Sequence, residues 1–241
     1  MLSSLWAITR NSFIEIIRQP VYVILLAAAI VLTGLSPYVT LFGAGDAEQI
    51  MVDMGLATML LMGLVLGVLN ASQVIHRQIE RRTAGAIMSK PVGRLVFLVG
   101  QFLAVTAATA LAIFVITVVL LQALRLGVQM RAHSHLDWPA VLGIVLPLVL
   151  GALMGAFSNF FYRLNFCSTT VLSVFVLSIL SAVLMMTVGA NWVIAPRGIT
   201  AYLVHVRHHD QVALAAWLVF LGVWVLSTFA VALSTRMNAV I

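Results

Sequence analysis

Only 8% of the 241 residues are charged, yet Arg77, Glu80, Arg81, Arg82, Lys90 and Arg94 fall within one short segment. Their chemistry is docking rather than catalysis, since five cations around one carboxylate can grip anionic headgroups or the surface of a soluble partner. Ile79 places an apolar anchor among them, Thr83 and Ser89 add hydroxyls, and Pro91 closes a short helix by removing a backbone donor. Five of the six histidines form a second group: His133, His135, His205, His208 and His209. His205 and His208 would share a helix face and, with Asp210, offer ligands to a transition metal. Contact with lipid headgroups is the plainer account of the same residues.

The elements that must position these groups follow from composition. Hydrophobic residues make up 63% of the chain, and the mean hydropathy is +1.13, a balance foreign to soluble domains. Six charge-free stretches are long enough to cross a bilayer, which takes roughly 20 apolar residues per helix. They predict spans over about 21–42, 54–75, 95–123, 139–161, 167–189 and 212–235. Stretches of this length without alternation exclude barrel strands. The expected fold is an all-α integral membrane domain covering residues 1–241.

Basic residues favour the cytoplasmic side of a membrane. With the N-terminus inside, nine of the Lys and Arg residues lie inside and four (Arg125, Arg131, Arg197 and Arg207) outside. Both termini are therefore expected in the cytoplasm. The net charge of +6 reflects this topology, and no nucleic-acid partner is needed to explain it.

Residues 3–18 predict an amphipathic helix in the membrane interface, with Leu5, Trp6, Ile8, Phe13, Ile16 and Ile17 on one side. Arg10, Asn11, Glu15 and Arg18 lie on the other. Such a helix is either a plain anchor or an elbow that transmits motion. Val21 to Leu35 resembles a signal-peptide core, but the amphipathic segment before it and the length of the apolar run favour a span. The lone Cys167 reads as a small apolar filler.

No Asp, Glu, Lys or Arg lies in the predicted span cores, so the relays of ion-coupled carriers are missing. A phosphate-cradling G-x-x-x-x-G-K-[ST] segment is missing too. Nor do the spans hold the acid pair, Ser–His or metal-ligand set that an intramembrane enzyme needs. The polar residues Asn70, Gln73, Thr106, Thr109, Gln122, Asn159 and Asn165 read as interhelical glue. The pairs Gly63–Gly67 and Gly151–Gly155 permit close helix approach, and a subunit interface is one place for it.

Residues 77–103 carry a resemblance. Ile79-Glu80-Arg81-Arg82-Thr83, then Ser89-Lys90-Pro91-Val92, Arg94, Phe97 and Gly100 are similar to the loop after the second span in ABC transporter permeases of the type-2 exporter class. Asn11-Ser12-Phe13, Glu15, Arg18 and Tyr22 resemble that family's approach to the first span. Ile50 with Asp53-Met54-Gly55-Leu56-Ala57 resembles its approach to the second, so the likeness covers roughly residues 9–104. Gln101 stands where members commonly have Lys, and Ala84-Gly85 where they carry helix-favouring or aromatic residues.

The resemblance implies a transport subunit of the plasma (inner) membrane, not itself an enzyme. A partner ATPase holding ATP and Mg would dock on Arg77 to Arg94, and a second permease copy, identical or related, would complete the path. An apolar path suits an amphiphilic or lipid-linked substrate. By the same analogy Trp192, Pro196 and Tyr202 are candidates for an outer gate, although interfacial anchoring explains the aromatic pair as well. The alternative is a membrane anchor or assembly factor that binds an ABC ATPase for signalling or metalloenzyme maturation.

Overall fold

The computed structural model describes residues 2–40, 47–80, 94–133, 136–188, 192 and 209–237. They form α1 (Leu2–Ile17), α2 (Pro20–Thr40), α3 (Ala47–Glu80), α4 (Arg94–His133), α5 (Trp138–Tyr162), α6 (Phe166–Thr187) and α7 (His209–Met237). The helices α2 to α7 are each long and apolar enough to cross a bilayer. The chain is thus an all-α protein with six candidate spans, close to those expected from sequence.

α4 is the axis of the bundle. Of its apolar window 67% is buried, against 22–39% in the other five spans. At about 1.5 Å per residue, its 40 residues reach roughly 60 Å, and the 34 of α3 reach roughly 50 Å. Both exceed the roughly 30 Å hydrocarbon layer. α4 also runs ten residues beyond the predicted span end at 123, which brings Arg125 inside a helix. The expectation of charge-free spans is corrected there, because the candidate span Val96–Met130 contains that arginine.

α1 packs along α4, and the fit is made by a missing side chain. A Cβ on Gly100 would lie 2.8 Å from Ile8 Cγ2, closer than two carbons tolerate. Ser12, Ile16 and Ile17 are buried, and Phe13 packs against the same core. Glu15 is half-buried and Arg18 exposed. Trp6, on the apolar face expected in the acyl boundary, is 69% exposed and packs on no other helix of the core. Just after this helix the Tyr22 hydroxyl donates to the Ala108 carbonyl at 2.7 Å, which ties the start of α2 to the middle of α4.

Both glycine pairs are consumed inside the protomer. Gly63 and Gly67 face Val223 and Ser227 of α7, while Gly151 and Gly155 face Val174 and Thr170 of α6. Small residues let the backbones of neighbouring helices meet, so these positions join helices of one chain. The reading of either pair as a subunit interface is corrected accordingly.

α5 and α6 form a tight hairpin. Asn165 caps α6 by accepting from Ser168 N at 3.3 Å, and Asn159 Nδ2 donates to the Leu164 carbonyl at 2.8 Å. Arg163 adopts the left-handed conformation (φ 53°) that ends α5. Phe157, Phe160, Phe161 and Tyr162 remain exposed around this turn. Cys167, just beyond it, is a free thiol.

Candidate functional site

The bundle end where α4 passes into α5, remote from Glu80 and Arg94, holds a polar cluster in an apolar setting. Asp137 starts it, since one carboxylate oxygen accepts from Ala140 N at 3.3 Å and so caps the first turn of α5. The other oxygen accepts from Arg125 Nε of α4 at 2.8 Å. Arg125 Nη1 donates to the Met185 carbonyl at 2.8 Å, one of the last carbonyls of α6, which lack helical donors. An anion therefore sits at a helix N-terminus and a cation at a helix C-terminus, each favoured by the local dipole. Arg125 is 7% exposed and Asp137 1%. Such a pair offsets the cost of leaving water only when its hydrogen bonds are filled, and the carbonyl of α6 and the N–H of α5 help to fill them.

One turn deeper, Gln122 Nε2 donates to Ser181 Oγ at 2.9 Å, and Ser181 in turn donates to the Ser178 carbonyl. Gln122 is 1% exposed, and its Oε1 has no hydrogen-bond partner. That oxygen lies 3.1 Å from the point a Cβ on Gly143 would occupy. Gly143 and Ser181 help to line a cavity of about 320 Å³ between α5 and α6. Leucines form its sides, and Pro139, Val188 and Trp192 lie at its distal end. Trp192 holds a left-handed backbone (φ 59°), uncommon for a bulky residue.

A second cavity, about 630 Å³, opens between α1, α4, α6 and α7 and is walled by Phe13, Phe114, Phe175, Trp217 and Phe220. Its lining is apolar apart from Thr117, whose hydroxyl is bonded to the Ile113 carbonyl of its own helix. Nothing there selects a head group.

The sequence-predicted residues divide sharply. Arg77, Ile79 and Glu80 occupy the last turn of α3 and Arg94 starts α4. Arg81, Arg82, Thr83, Ser89, Lys90 and Pro91 lie outside the described residues, as do Pro196, Tyr202, His205 and His208. Trp192, the described member of the gate trio, is 61% exposed at the distal cavity. Among the described residues, no three His, Cys, Asp or Glu side chains gather.

Sequence alone shows Arg125 and Asp137 only as charges bearing on topology, so the polar cluster is not legible there as a site. A signal existed for half of it: Asp137 followed by Trp138-Pro139 is a helix-start pattern. The glue expected from polar residues is narrower than supposed. Gln122 bridges two helices, whereas Thr109 bonds Val105 of its own helix and Asn159 and Asn165 serve the hairpin turn.

Comparison with protein-family models finds no matching family, and comparisons with curated proteins and with solved structures find no match either.

Proposed function

We propose that this chain is the membrane-spanning permease subunit of an ATP-driven ABC exporter of the type-2 class, in the plasma (inner) membrane with both termini cytoplasmic. The observation that carries the reading is the segment 77–94. Its charged pattern, resembling the coupling loop of that class, begins in the last turn of α3 and ends at the first residue of α4, the two longest of the described helices. Both are longer than a bilayer core is thick, and α4 packs against every other helix. A push on this loop would therefore reach the whole bundle through one rigid axis.

In this reading ATP and Mg belong to the partner ATPase, which docks on Arg77, Glu80, Arg81, Arg82, Lys90 and Arg94. A second copy or a related chain supplies the other half of the path, and the cargo is amphiphilic or lipid-linked. The test is affinity purification from the native membrane in mild detergent. An ABC ATPase is expected at equal ratio with the wild-type chain. Replacing Glu80 and Arg81 together by Ala should lower its recovery about tenfold or more, a loss of about 1.4 kcal/mol, without loss of membrane insertion. Unchanged recovery would remove the docking assignment. Recovery of the ATPase without any solute that stimulates hydrolysis would instead make the chain an anchor.

A further inference from the structure

We propose that α5 is hinged at Pro147 and that the Gln122 carboxamide is the latch of that hinge. Pro147 lies inside α5, where a proline removes one helical hydrogen bond and crowds the carbonyl four residues back. That carbonyl belongs to Gly143, which has no side chain to stiffen the turn. The helix is therefore weakest between 143 and 147.

The neighbours of α5 change at the same point. Before it, residues 138–146 are held by the body of the bundle. Asp137 bonds Arg125 of α4, Gly143 lies against Gln122 of α4, and Ile144 lies against Gly34 of α2. After it, the chain is held by α6, whose Val174 and Thr170 meet Gly151 and Gly155. Those two glycines are the only buried residues of 149–162. The cavity between α5 and α6 follows the same division: on α5 its lining runs from Pro139 to Leu150, and every lining residue but Leu150 is at or before Pro147. The two helices thus leave a gap before the proline and close on each other after it. The moving part is residues 148–162 with the start of α6, which joins the body through the non-directional packing of Val171 and Val174.

Gln122 supplies the latch. Its Nε2 donates to Ser181 of α6 at 2.9 Å, while its Oε1 rests on Gly143 without a partner. An unmet buried acceptor is costly, and the Gly143 carbonyl is a second one, since Pro147 has no N–H to give it. Half a turn of the amide about its last bond brings Nε2 beside Gly143 and leaves Oε1 to accept from the Ser181 hydroxyl. Gln122 therefore has two bonding arrangements, one that engages α6 alone and one that engages α5 as well. Bending at a proline widens the space between its ring and the carbonyl four residues back, which opens the Gly143 oxygen to Nε2. Bend and amide change together, as the two states of one hinge.

The hinge needs no ATPase, so its test separates from that of the transport reading. Spin labels are placed by Phe160→Cys with Phe229→Cys, and by Val145→Cys with Leu218→Cys, each in a Cys167→Ser chain in phosphatidylcholine nanodiscs. All four labelled sites are exposed; Phe160 lies beyond the hinge, Val145 before it, and Phe229 and Leu218 on α7. Phe160 is roughly 20 Å past Pro147 at 1.5 Å per residue, so a bend of about 20° moves it by roughly 7 Å. Double electron–electron resonance should give two distances for the Phe160–Phe229 pair and one for the Val145–Leu218 pair. Pro147→Ala, which restores the helical donor, should leave the first pair with one distance. Gln122→Leu should change the ratio of its two populations about tenfold, the scale of one buried hydrogen bond. If Pro147→Ala does not fold, the wild-type pairs and Gln122→Leu decide. A single distance for Phe160–Phe229 in the wild-type chain, equally broad distributions for both pairs, or two distances persisting in Pro147→Ala would each overturn the hinge, and an unchanged ratio in Gln122→Leu would overturn the latch.

Discussion

The α5–α6 hairpin and the α1–α4–α7 body are built on different principles. The body is packed continuously around α4, whose Ala104, Ala108, Val115, Ile116 and Leu120 are essentially inaccessible. The hairpin is closed on itself by Gly151 and Gly155. It joins the body through Val171 and Val174 at one level and through the Arg125–Asp137–Met185 bonds at another. Apolar packing is non-directional and spread over many atoms, whereas the polar bonds concentrate position in a few groups. The body is therefore expected to tolerate single conservative changes, and the hairpin to depend on named side chains.

The sharpest way to break that contrast is Asp137→Ala. It leaves Arg125 buried without its carboxylate and α5 without a cap, and should destabilise the protein by about 3–5 kcal/mol. The midpoint of thermal unfolding in detergent reads this. Replacing both partners by Leu should recover most of the loss. Equal stability of the single and double variants would show that the ion pair does not position the hairpin.

Gly151→Ala comes next. A Cβ there would sit 3.1 Å from the Val174 amide nitrogen and 3.3 Å from its Cα, backbone that cannot rotate away. Prying the hairpin apart should cost about 1–3 kcal/mol. Gly222 of α7, which has nothing within 4 Å of its added Cβ, is the control. Gly222→Ala should be neutral or stabilising by up to about 1 kcal/mol, the helix preference for Ala. A similar loss at both positions would erase the difference between packed and free glycines.

The smallest effect tests the body. Tyr22→Phe removes one hydroxyl from the bond to Ala108 while leaving the ring, and should cost about 0.5–1.5 kcal/mol. A loss as large as that of Asp137→Ala would mean that the body too hangs on directed bonds.

Legibility from sequence followed the range of the physics. Hydropathy is a local sum, so the six spans were placed within a few residues, and α1 likewise. α3 and α4 are the exceptions: α3 begins at Ala47 and its candidate span carries Glu48 and Asp53, and α4 runs past 123 through Arg125, whose burial is compatible with its charge because Asp137 and the Met185 carbonyl bond it. A helical wheel reports which residues share a side, but the neighbour that side meets is α4, which offers Gly100 to Ile8 and leaves Trp6 exposed.

The sequence by itself determined that this chain is helical and suited to cross a membrane six times, because runs of apolar side chains must leave water and their backbone must bond within itself in lipid. It also determined where the cations gather, in 77–94. Only the tertiary structure decided that both glycine pairs close helices of one protomer, that Arg125 and Asp137 lock α4, α5 and α6, and that Gln122 keeps a free acceptor behind Gly143. Each of these is a meeting of residues from different helices, and spacing along a chain carries no information about which partner a side chain will find across a helix interface.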